Sequence, residues 1–330
     1  MHLALKKNNL QIWLAPVVIM LLFNVLNILQ LKTFEPWPQV TIIWTGFPGL
    51  VDYLDHFHFY RLVVASPGLW LEDQLPDRGF SIFASFFLLW SSLLFSRIQQ
   101  TIAGYRPQLW AWLVLIALFC LMNGRGTIGW TGWLLVVSTC LDVSKSDRGR
   151  LAFGTMLRIA LGLLLASVSS GIYVYSFLIF AYFWLLRSGS WTAYEGLNYI
   201  GLINRIFGIV LLAGSLYFVL QQVFWAIQRV LEFYGGGLKG ISGVLSHGIV
   251  NNLDQIGPAH LILTFILILG GVLCFAAGYA KKIGGDLIVI ILATLAGGVF
   301  GITILTLAIP LILVAIGKLF RFRLIRRHAP

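Results

Sequence analysis

Residues 151–186 read LAFGTMLRIALGLLLASVSSGIYVYSFLIFAYFWLL, an apolar tract with one interruption, Ser169-Ser170-Gly171, close to its middle. A single α-helix of this length would extend about 50 Å, whereas the hydrocarbon core of a bilayer is about 30 Å thick. The tract therefore predicts two short membrane-spanning helices that form a hairpin, with the Ser-Ser-Gly break at the turn.

Two other apolar tracts, residues 108–141 and 286–318, also exceed the length of one span. The first is interrupted by Asn-Gly-Arg-Gly at 123–126 and the second by glycines near 297–301. Four uninterrupted runs each have the length of one span; they are 11–31, 80–96, 206–225 and 261–280. Together the tracts predict an all-α polytopic bundle of about 10 transmembrane helices, forming a single transmembrane domain over residues 1–330.

The composition indicates that lipid surrounds most of the chain. Apolar residues make up 59% of the 330 residues and charged residues only 11%, against roughly a quarter charged in soluble domains. A soluble domain of this size could not cover so much apolar surface with a polar shell, and a disordered chain requires low hydrophobicity. These numbers exclude both classes and predict an integral membrane protein.

The net charge of +11 has an explanation that requires no nucleic-acid partner. Basic residues collect in the cytoplasmic loops of membrane proteins and set their orientation. When the N-terminus is placed in the cytoplasm, most of the 23 Lys and Arg residues fall on the cytoplasmic side. We therefore expect both termini in the cytoplasm and no nucleic acid among the partners.

This orientation leaves two long segments outside the membrane and one longer segment inside. Residues 32–79 form the predicted first external loop, and residues 226–260 form the predicted second external loop. The cytoplasmic stretch 188–204 contains Trp, Tyr, Leu and Ile at intervals that suit one helix face. It predicts an interfacial helix that lies on the membrane surface.

The first external loop contains half of the 12 acidic residues. Carboxylates accept hydrogen bonds from hydroxyl groups and aromatic rings pack on apolar sugar faces, so the mixture in residues 51–61 is typical of carbohydrate contacts. The same stretch could hold a metal ion or simply form a solvated amphipathic loop. The candidate residues of the loop are Asp52, Asp55, His56, Arg61, Asp77 and Arg78.

Arg125 lies in the break at 123–126 and is flanked by Gly124 and Gly126, so a ligand can approach the backbone closely. A guanidinium group makes paired hydrogen bonds to phosphate, which favours a phosphate-binding role at the outer end of this hairpin. The alternative is an arginine that reaches the lipid headgroups and only anchors the turn.

The second external loop holds another set of candidates. A histidine such as His247 can act as a general base near neutral pH, or it can be an ordinary loop residue. The glycine run that follows Tyr234 could cradle a phosphate, although a flexible bend is the favoured interpretation. Arg229 is a further basic candidate in this loop.

The sequence lacks the motifs of several common binding sites. There is no glycine-rich nucleotide-binding motif, and the 3 cysteines have none of the spacings of a zinc site or a disulfide framework. We therefore expect no metal and no cofactor. Ionisable residues within the spans are scarce, with Arg158 as the main one, which weakens the case for an ion-coupled transporter.

The order of these motifs resembles a known family. An acidic, Asp-x-x-Tyr-like stretch precedes Asp-Arg-Gly-Phe at 77–80, followed by Asn-Gly-Arg-Gly at 123–126 and Ser-His-Gly at 246–248. This layout resembles the EpsG-like and O-antigen (exopolysaccharide) repeat-unit polymerases of bacterial envelopes.

The resemblance implies a membrane glycosyltransferase of the bacterial inner (plasma) membrane, without a metal ion, that joins polyprenyl-pyrophosphate-linked oligosaccharides at the outer face. It implies that Arg125 holds the pyrophosphate and that His247 or Asp52 acts as base on the acceptor hydroxyl. Membrane lipid and chain-length regulator or export proteins would be the other partners. The implied substrate-binding residues are Asp55, Asp77, His56, Arg61, Arg78, Tyr234 and Arg229.

Two other functions fit the same sequence. A transporter or flippase for a lipid-linked or small solute would use the broken helices and Arg158 to line a water-filled path. A non-catalytic membrane scaffold subunit would account for the scarcity of polar groups without a further assumption.

Overall fold

The computed structural model describes residues 35–46, 59–103, 124–145, 153–187, 199–232, 235–237 and 290. All regular structure in these ranges is helical. The helices are α1 (Pro38–Gly46), α2 (Phe59–Gln74), α3 (Gly79–Ala103), α4 (Gly124–Lys145), α5 (Phe153–Ala166), α6 (Ser170–Tyr182) and α7 (Tyr199–Glu232). α6 continues into a π-helical turn, Phe183–Arg187.

The all-α prediction is confirmed for this part of the chain. Three of its helices contain a segment long and apolar enough to cross a bilayer; the segments are Gly79–Ile98, Gly124–Val143 and Arg205–Trp225. These helices are compatible with an integral membrane protein. The predicted spans 11–31 and 261–280, the tract 286–318 apart from Ile290, and both termini lie outside the described residues, so the total of ten spans stays a prediction.

The helix–turn–helix predicted for residues 151–186 is confirmed, whereas the prediction that both of its helices cross the membrane stays a prediction. α5 and α6 are short apolar helices, and the turn at 167–169 joins them at the predicted break. α4 likewise begins at Gly124, within the break predicted for the tract 108–141. Residues 108–123, the other half of that predicted hairpin, lie outside the described residues.

α4 is the central helix of the described bundle and packs against α3, α5 and α6. Within its span 83% is buried, and the indole rings of Trp130 and Trp133 have no exposed surface. A helix that is buried on nearly all sides belongs in the core of a bundle. α4 is therefore the element that positions the others.

α3 and α4 run in the same direction. The hydroxyl group of Thr131 in α4 lies 2.7 Å from the hydroxyl group of Ser91 in α3. Further along both helices, Arg97 of α3 forms an ion pair with Asp142 of α4. The later residue of α3 thus contacts the later residue of α4. The two helices are therefore parallel, and both begin at the same end of the bundle.

α5 runs antiparallel to α4, and the two backbones are in close contact. A Cβ atom on Gly162 would lie 2.9 Å from the carbonyl oxygen of Gly132, whereas earlier in α4 Gly129 faces Val168, beyond the end of α5. Small residues allow helices to approach this closely. α5 therefore ends, and α6 begins, where α3 and α4 begin; we call this the Gly124 end.

α2 lies across the Gly124 end. In its last turn, the carboxylate of Glu72 accepts hydrogen bonds from the N–H groups of Asp77 (2.9 Å) and Phe80 (2.6 Å), at the start of α3. In its first turn, Arg61 donates a hydrogen bond to Ser170 Oγ (3.4 Å), at the start of α6. Both ends of α2 thus contact helix termini on one side of the bundle, so part of the predicted first external loop is a packed helix.

The turn between α2 and α3 is tight. A side chain at position 79 would overlap the carbonyl group of Leu71, so only glycine fits there. Asp77 adopts a left-handed backbone conformation with φ 65°. The carboxylate of Glu72 closes this turn and places negative charge at the positive N-terminus of α3.

We expect Glu72→Ala to lower the free energy of unfolding by about 1 to 2 kcal/mol, because it removes the charged cap of α3. The measurement is thermal unfolding of the purified protein in detergent. The control is Asp73→Ala, which removes a neighbouring carboxylate that accepts a hydrogen bond from the indole of Trp44 in an exposed position. An equal loss in both variants would contradict the capping role.

α7 packs on the bundle along a narrow strip. Only 17% of its span is buried, and near its beginning Gly208 lies directly against the indole ring of Trp184. Residues 199–204, the last part of the predicted interfacial helix, form the first turns of this one long helix. The rest of that prediction, residues 188–198, lies outside the described residues.

Candidate functional site

Two arginines from different helices reach the same short turn. Arg125, in the first turn of α4, donates from Nε to the carbonyl oxygen of Val168 at 2.8 Å. Arg61, in the first turn of α2, donates from Nη2 to Ser170 Oγ at 3.4 Å. Val168 lies in the α5–α6 turn and Ser170 is the first residue of α6, so both arginines donate hydrogen bonds to the same short connection at the Gly124 end.

The hydroxyl group of Ser170 extends this contact to α7. It accepts the hydrogen bond from Arg61 and donates one to the amide Oε1 of Gln222 at 2.7 Å. The resulting Arg61–Ser170–Gln222 network joins α2, α6 and α7. Both Ser170 and Gln222 are half-buried, so the network borders the surface of the protein.

Aromatic rings lie one helical turn below the network. The ring of Phe218 packs edge-to-face against Tyr60, with centroids 5.0 Å apart, and against Tyr173, with centroids 4.4 Å apart. The hydroxyl group of Tyr173 is hydrogen-bonded with Ser215 of α7. These contacts hold the beginnings of α2 and α6 against α7 and fix the position of the network.

The positive charge at the Gly124 end favours the binding of an anion. α4 and α6 both begin here without an acidic residue in the first turn, so their N-termini carry partial positive charge. The side chain of Arg61 is only 7% exposed, and a charge in such a position interacts more strongly than one in water. An anionic group that reaches Ser170 would meet Arg61 and the α6 N-terminus, and Arg125 is bonded two residues earlier in the chain, at Val168.

Ser169 adds a second hydroxyl group to this turn. It occupies the N-cap position of α6, yet its side chain makes no capping hydrogen bond. A serine at this position usually accepts a hydrogen bond from the first turn of the helix. Of the two consecutive serines, Ser170 bonds to an arginine, and the side chain of Ser169 does not close the helix end.

Two predicted substrate-binding residues lie at the opposite end of α2 from the network. Asp77 and Arg78 occupy the exposed turn that connects α2 to α3. The N–H group of Asp77 bonds to Glu72, and that of Arg78 bonds to the carbonyl oxygen of Leu75. The structure thus gives the backbone of both residues a role in the turn and does not bring them to Ser170.

Of the remaining predicted site residues, only Arg229 lies within the described residues. Arg229 belongs to α7, two turns beyond Gln222, in the first part of the predicted second external loop. Gly235, Gly236 and Gly237 have positive φ values of 77°, 72° and 58°, a left-handed conformation that glycine adopts readily. The predictions for Asp52, Asp55, His56, Tyr234 and His247 lie outside the described residues.

Among the described residues, no cluster of three or more His, Cys, Asp or Glu side chains is placed to bind a metal ion. The histidine and aspartate residues considered for metal binding in the stretch 51–61 precede α2 and are not described.

Sequence reasoning missed Gln222 and underrated Ser170. Ser170 was visible as part of a helix break, but nothing local indicated that it would contact an arginine more than 100 residues earlier. Gln221-Gln222 is a polar pair within an otherwise apolar run of α7. Such a pair inside a membrane span is a signal of a polar contact that could have singled out Gln222.

Comparisons with known proteins give no assignment: no family model, no curated protein and no solved structure matches this chain. The resemblance to repeat-unit polymerases therefore stays a prediction from the motifs. The candidate site is defined by its own geometry, in which Arg61, Ser170 and Gln222 form one network and Arg125 bonds to the adjoining turn at the same end of the helical bundle.

Proposed function

We propose that this chain is an envelope polysaccharide polymerase, a membrane glycosyltransferase that joins polyprenyl-pyrophosphate-linked repeat units at the outer face of the bacterial inner membrane. The observation that carries the proposal is that Arg61 and Arg125, from two different helices, both donate hydrogen bonds to the short connection between α5 and α6. Two buried or half-buried cations at a membrane boundary, beside hydroxyl groups, suit the pyrophosphate group of a lipid carrier.

The proposed reaction needs positive charge where the leaving group departs. The acceptor hydroxyl oxygen attacks the anomeric carbon of the donor sugar, and the bond from that carbon to the pyrophosphate oxygen breaks. The pyrophosphate leaves with the bonding electron pair, so cations that are already in place stabilise the transition state. The hydroxyl proton passes to a base, for which His247 and Asp52 are the proposed candidates.

The surface around the network suits a lipid-linked substrate. α7 exposes Leu220, Val223 and Phe224 close to Gln222 in the chain. A polyprenyl tail can lie along this apolar surface in the hydrocarbon layer while its pyrophosphate reaches Ser170. This arrangement supports a lipid carrier in preference to a water-soluble sugar nucleotide.

A cell-based experiment tests the proposal. We expect Arg125→Ala and Arg61→Ala to shorten or abolish the surface polymer when each variant is the only copy of the protein, because each removes a cation from the pyrophosphate site. The measurement is polymer length on a gel. The control is Arg158→Ala, which removes an exposed arginine of α5 near the end opposite to the Gly124 end.

The outcomes separate the proposed function from its alternatives. Short polymer in both site variants, with normal polymer in Arg158→Ala, supports the polymerase. Full-length polymer in both site variants, with normal amounts of protein in the membrane, contradicts it. If repeat units accumulate on the cytoplasmic side instead, the same site serves a flippase.

A further inference from the structure

Gln222 ends the chain of hydrogen bonds that starts at Arg61. Arg61 donates from Nη2 to Ser170 Oγ, and Ser170 donates to the amide Oε1 of Gln222. Both hydrogen bonds are donated in the same direction, from α2 through α6 to α7. Because the oxygen atom of the Gln222 amide is the acceptor, the Nε2 group with its two N–H donors stands at the end of the chain.

The amide of Gln222 is the accessible donor of this network. Gln222 is half-buried, whereas Arg61 is almost fully buried. Among the described residues, none accepts a hydrogen bond from Nε2 of Gln222. A ligand that approaches the network from the surface therefore meets the amide N–H groups before it meets the guanidinium group.

The neighbouring glutamine uses its amide differently. Nε2 of Gln221 donates to the hydroxyl oxygen of Tyr217 at 3.0 Å, one turn earlier on the exposed face of α7. Gln222 instead follows Ser215 and Phe218 on the strip of α7 that packs against the bundle. The two side chains have the same chemistry, but only Gln222 belongs to the network.

The network makes Gln222 a better donor than an isolated amide. Hydrogen bonds in a chain polarise one another, and here the chain begins at the positive charge of Arg61. The hydrogen bond from Ser170 to the amide oxygen draws electron density away from the amide nitrogen, so its N–H groups carry more positive charge. Such a donor favours an ionised acceptor, because hydrogen bonds to ionised groups are the strong ones.

We propose that Nε2 of Gln222 donates directly to a phosphate oxygen of the ligand, and that Ser170 and Arg61 are positioning residues behind it. This inference rests on the proposed function, which supplies a polyprenyl pyrophosphate as the ligand. The amide recognises the phosphate group itself, which a lipid headgroup and inorganic pyrophosphate share. The exposed apolar side chains close to Gln222 in α7 favour the lipid as the source.

Two substitutions separate ligand binding from helix packing. Gln222→Glu keeps an oxygen atom that accepts the hydrogen bond from Ser170, but it has no N–H donor and adds a negative charge. We expect it to weaken binding of polyprenyl pyrophosphate by about a hundredfold, because like charges repel. Its melting temperature should equal or exceed that of the parent, because the new carboxylate is attracted to Arg61.

Gln222→Met removes the donor without adding a charge, so binding should weaken by about tenfold. The measurements are binding of the lipid to the purified protein in detergent and thermal unfolding of the same samples. Gln221→Glu and Gln221→Met are the matched controls, because they make the same changes on the exposed face of α7. Both should bind the lipid as the parent does.

Two further probes identify what the amide recognises. A polyprenyl alcohol should bind equally to all variants, because it has no phosphate group. Competition by inorganic pyrophosphate that depends on Gln222 would support the donor with the headgroup alone as its ligand. Binding that depends on Gln222 for the lipid but not for inorganic pyrophosphate would support the donor with the tail as a second requirement.

Parent-like binding in Gln222→Glu would overturn the proposal, as would equal losses in the Gln221 and Gln222 variants. A fall in the melting temperature of Gln222→Glu that matches its loss of binding would also overturn it, since Gln222 would then only join helices. Binding that depends on Gln222, without polymer in cells, would remove the proposed function and leave the donor. Polymer that depends on Arg125, with parent-like lipid binding in the Gln222 variants, would remove the donor and leave the proposed function.

Discussion

Gly162→Leu is expected to prevent stable packing of the α4–α5 pair and to cost about 3 kcal/mol or more of the free energy of unfolding. A Cβ atom at this position lies 2.9 Å from the carbonyl oxygen of Gly132 and 3.2 Å from the backbone nitrogen of Val136. Both neighbours belong to the backbone of the central helix, so neither can turn aside as a side chain would. The measurements are the amount of protein in the membrane and its thermal unfolding in detergent.

Gly154→Leu in the same helix is the matched control. A Cβ atom at position 154 meets no other atom within 4 Å, so leucine should be tolerated there. Both substitutions add the same side chain to α5, and neither removes a charged or hydrogen-bonding side chain. Comparable stability of the two variants would show that the close α4–α5 contact does not hold the bundle together.

Arg125→Ala is expected to weaken binding of a polyprenyl pyrophosphate by about a hundredfold. Removing one partner of a buried charged contact costs about 2 to 5 kcal/mol, and about 2.7 kcal/mol corresponds to a hundredfold change in Kd. Arg61→Ala should have a similar effect, because Arg61 is almost fully buried beside Ser170. The measurement is binding of the lipid to the purified protein in detergent.

Three comparisons make this prediction specific. Arg125→Lys keeps the charge but loses the planar fork, so binding should be intermediate. The double variant should lose less than the sum of the two single variants if both arginines hold one anion. A polyprenyl alcohol without phosphate should bind equally to all variants. Unchanged binding of the pyrophosphate lipid in both alanine variants would contradict the anion site.

The helical hairpin could be predicted because the bilayer sets a length scale. Any apolar tract much longer than one span must turn, and in residues 151–186 only the Ser-Ser-Gly segment is polar enough to turn at a membrane boundary. The same reasoning placed Arg125 in the break of a predicted hairpin, and α4 begins within that break. These predictions follow from local composition and from the thickness of the bilayer, so they require no knowledge of which helices are neighbours.

The position of α2 could not be predicted in this way. Arg61 stood in a polar, aromatic stretch that was interpreted as a carbohydrate contact or a solvated loop, yet it is buried and bonds to a serine 109 positions later in the chain. Its burial depends on α6 and α7 meeting at the Gly124 end. Helix periodicity indicates which face of a helix is apolar, but it does not indicate which polar group of another helix will contact that helix.

Reconstitution tests the central claim most directly. The purified protein is placed in vesicles with a radiolabelled, polyprenyl-pyrophosphate-linked repeat unit from the same envelope, and the products are separated by chain length. A polymer ladder with released polyprenyl pyrophosphate, produced by the parent chain and lost in Arg125→Ala, is the predicted result. Correctly inserted protein that yields no polymer, or an Arg125→Ala variant that yields as much as its parent, would contradict it.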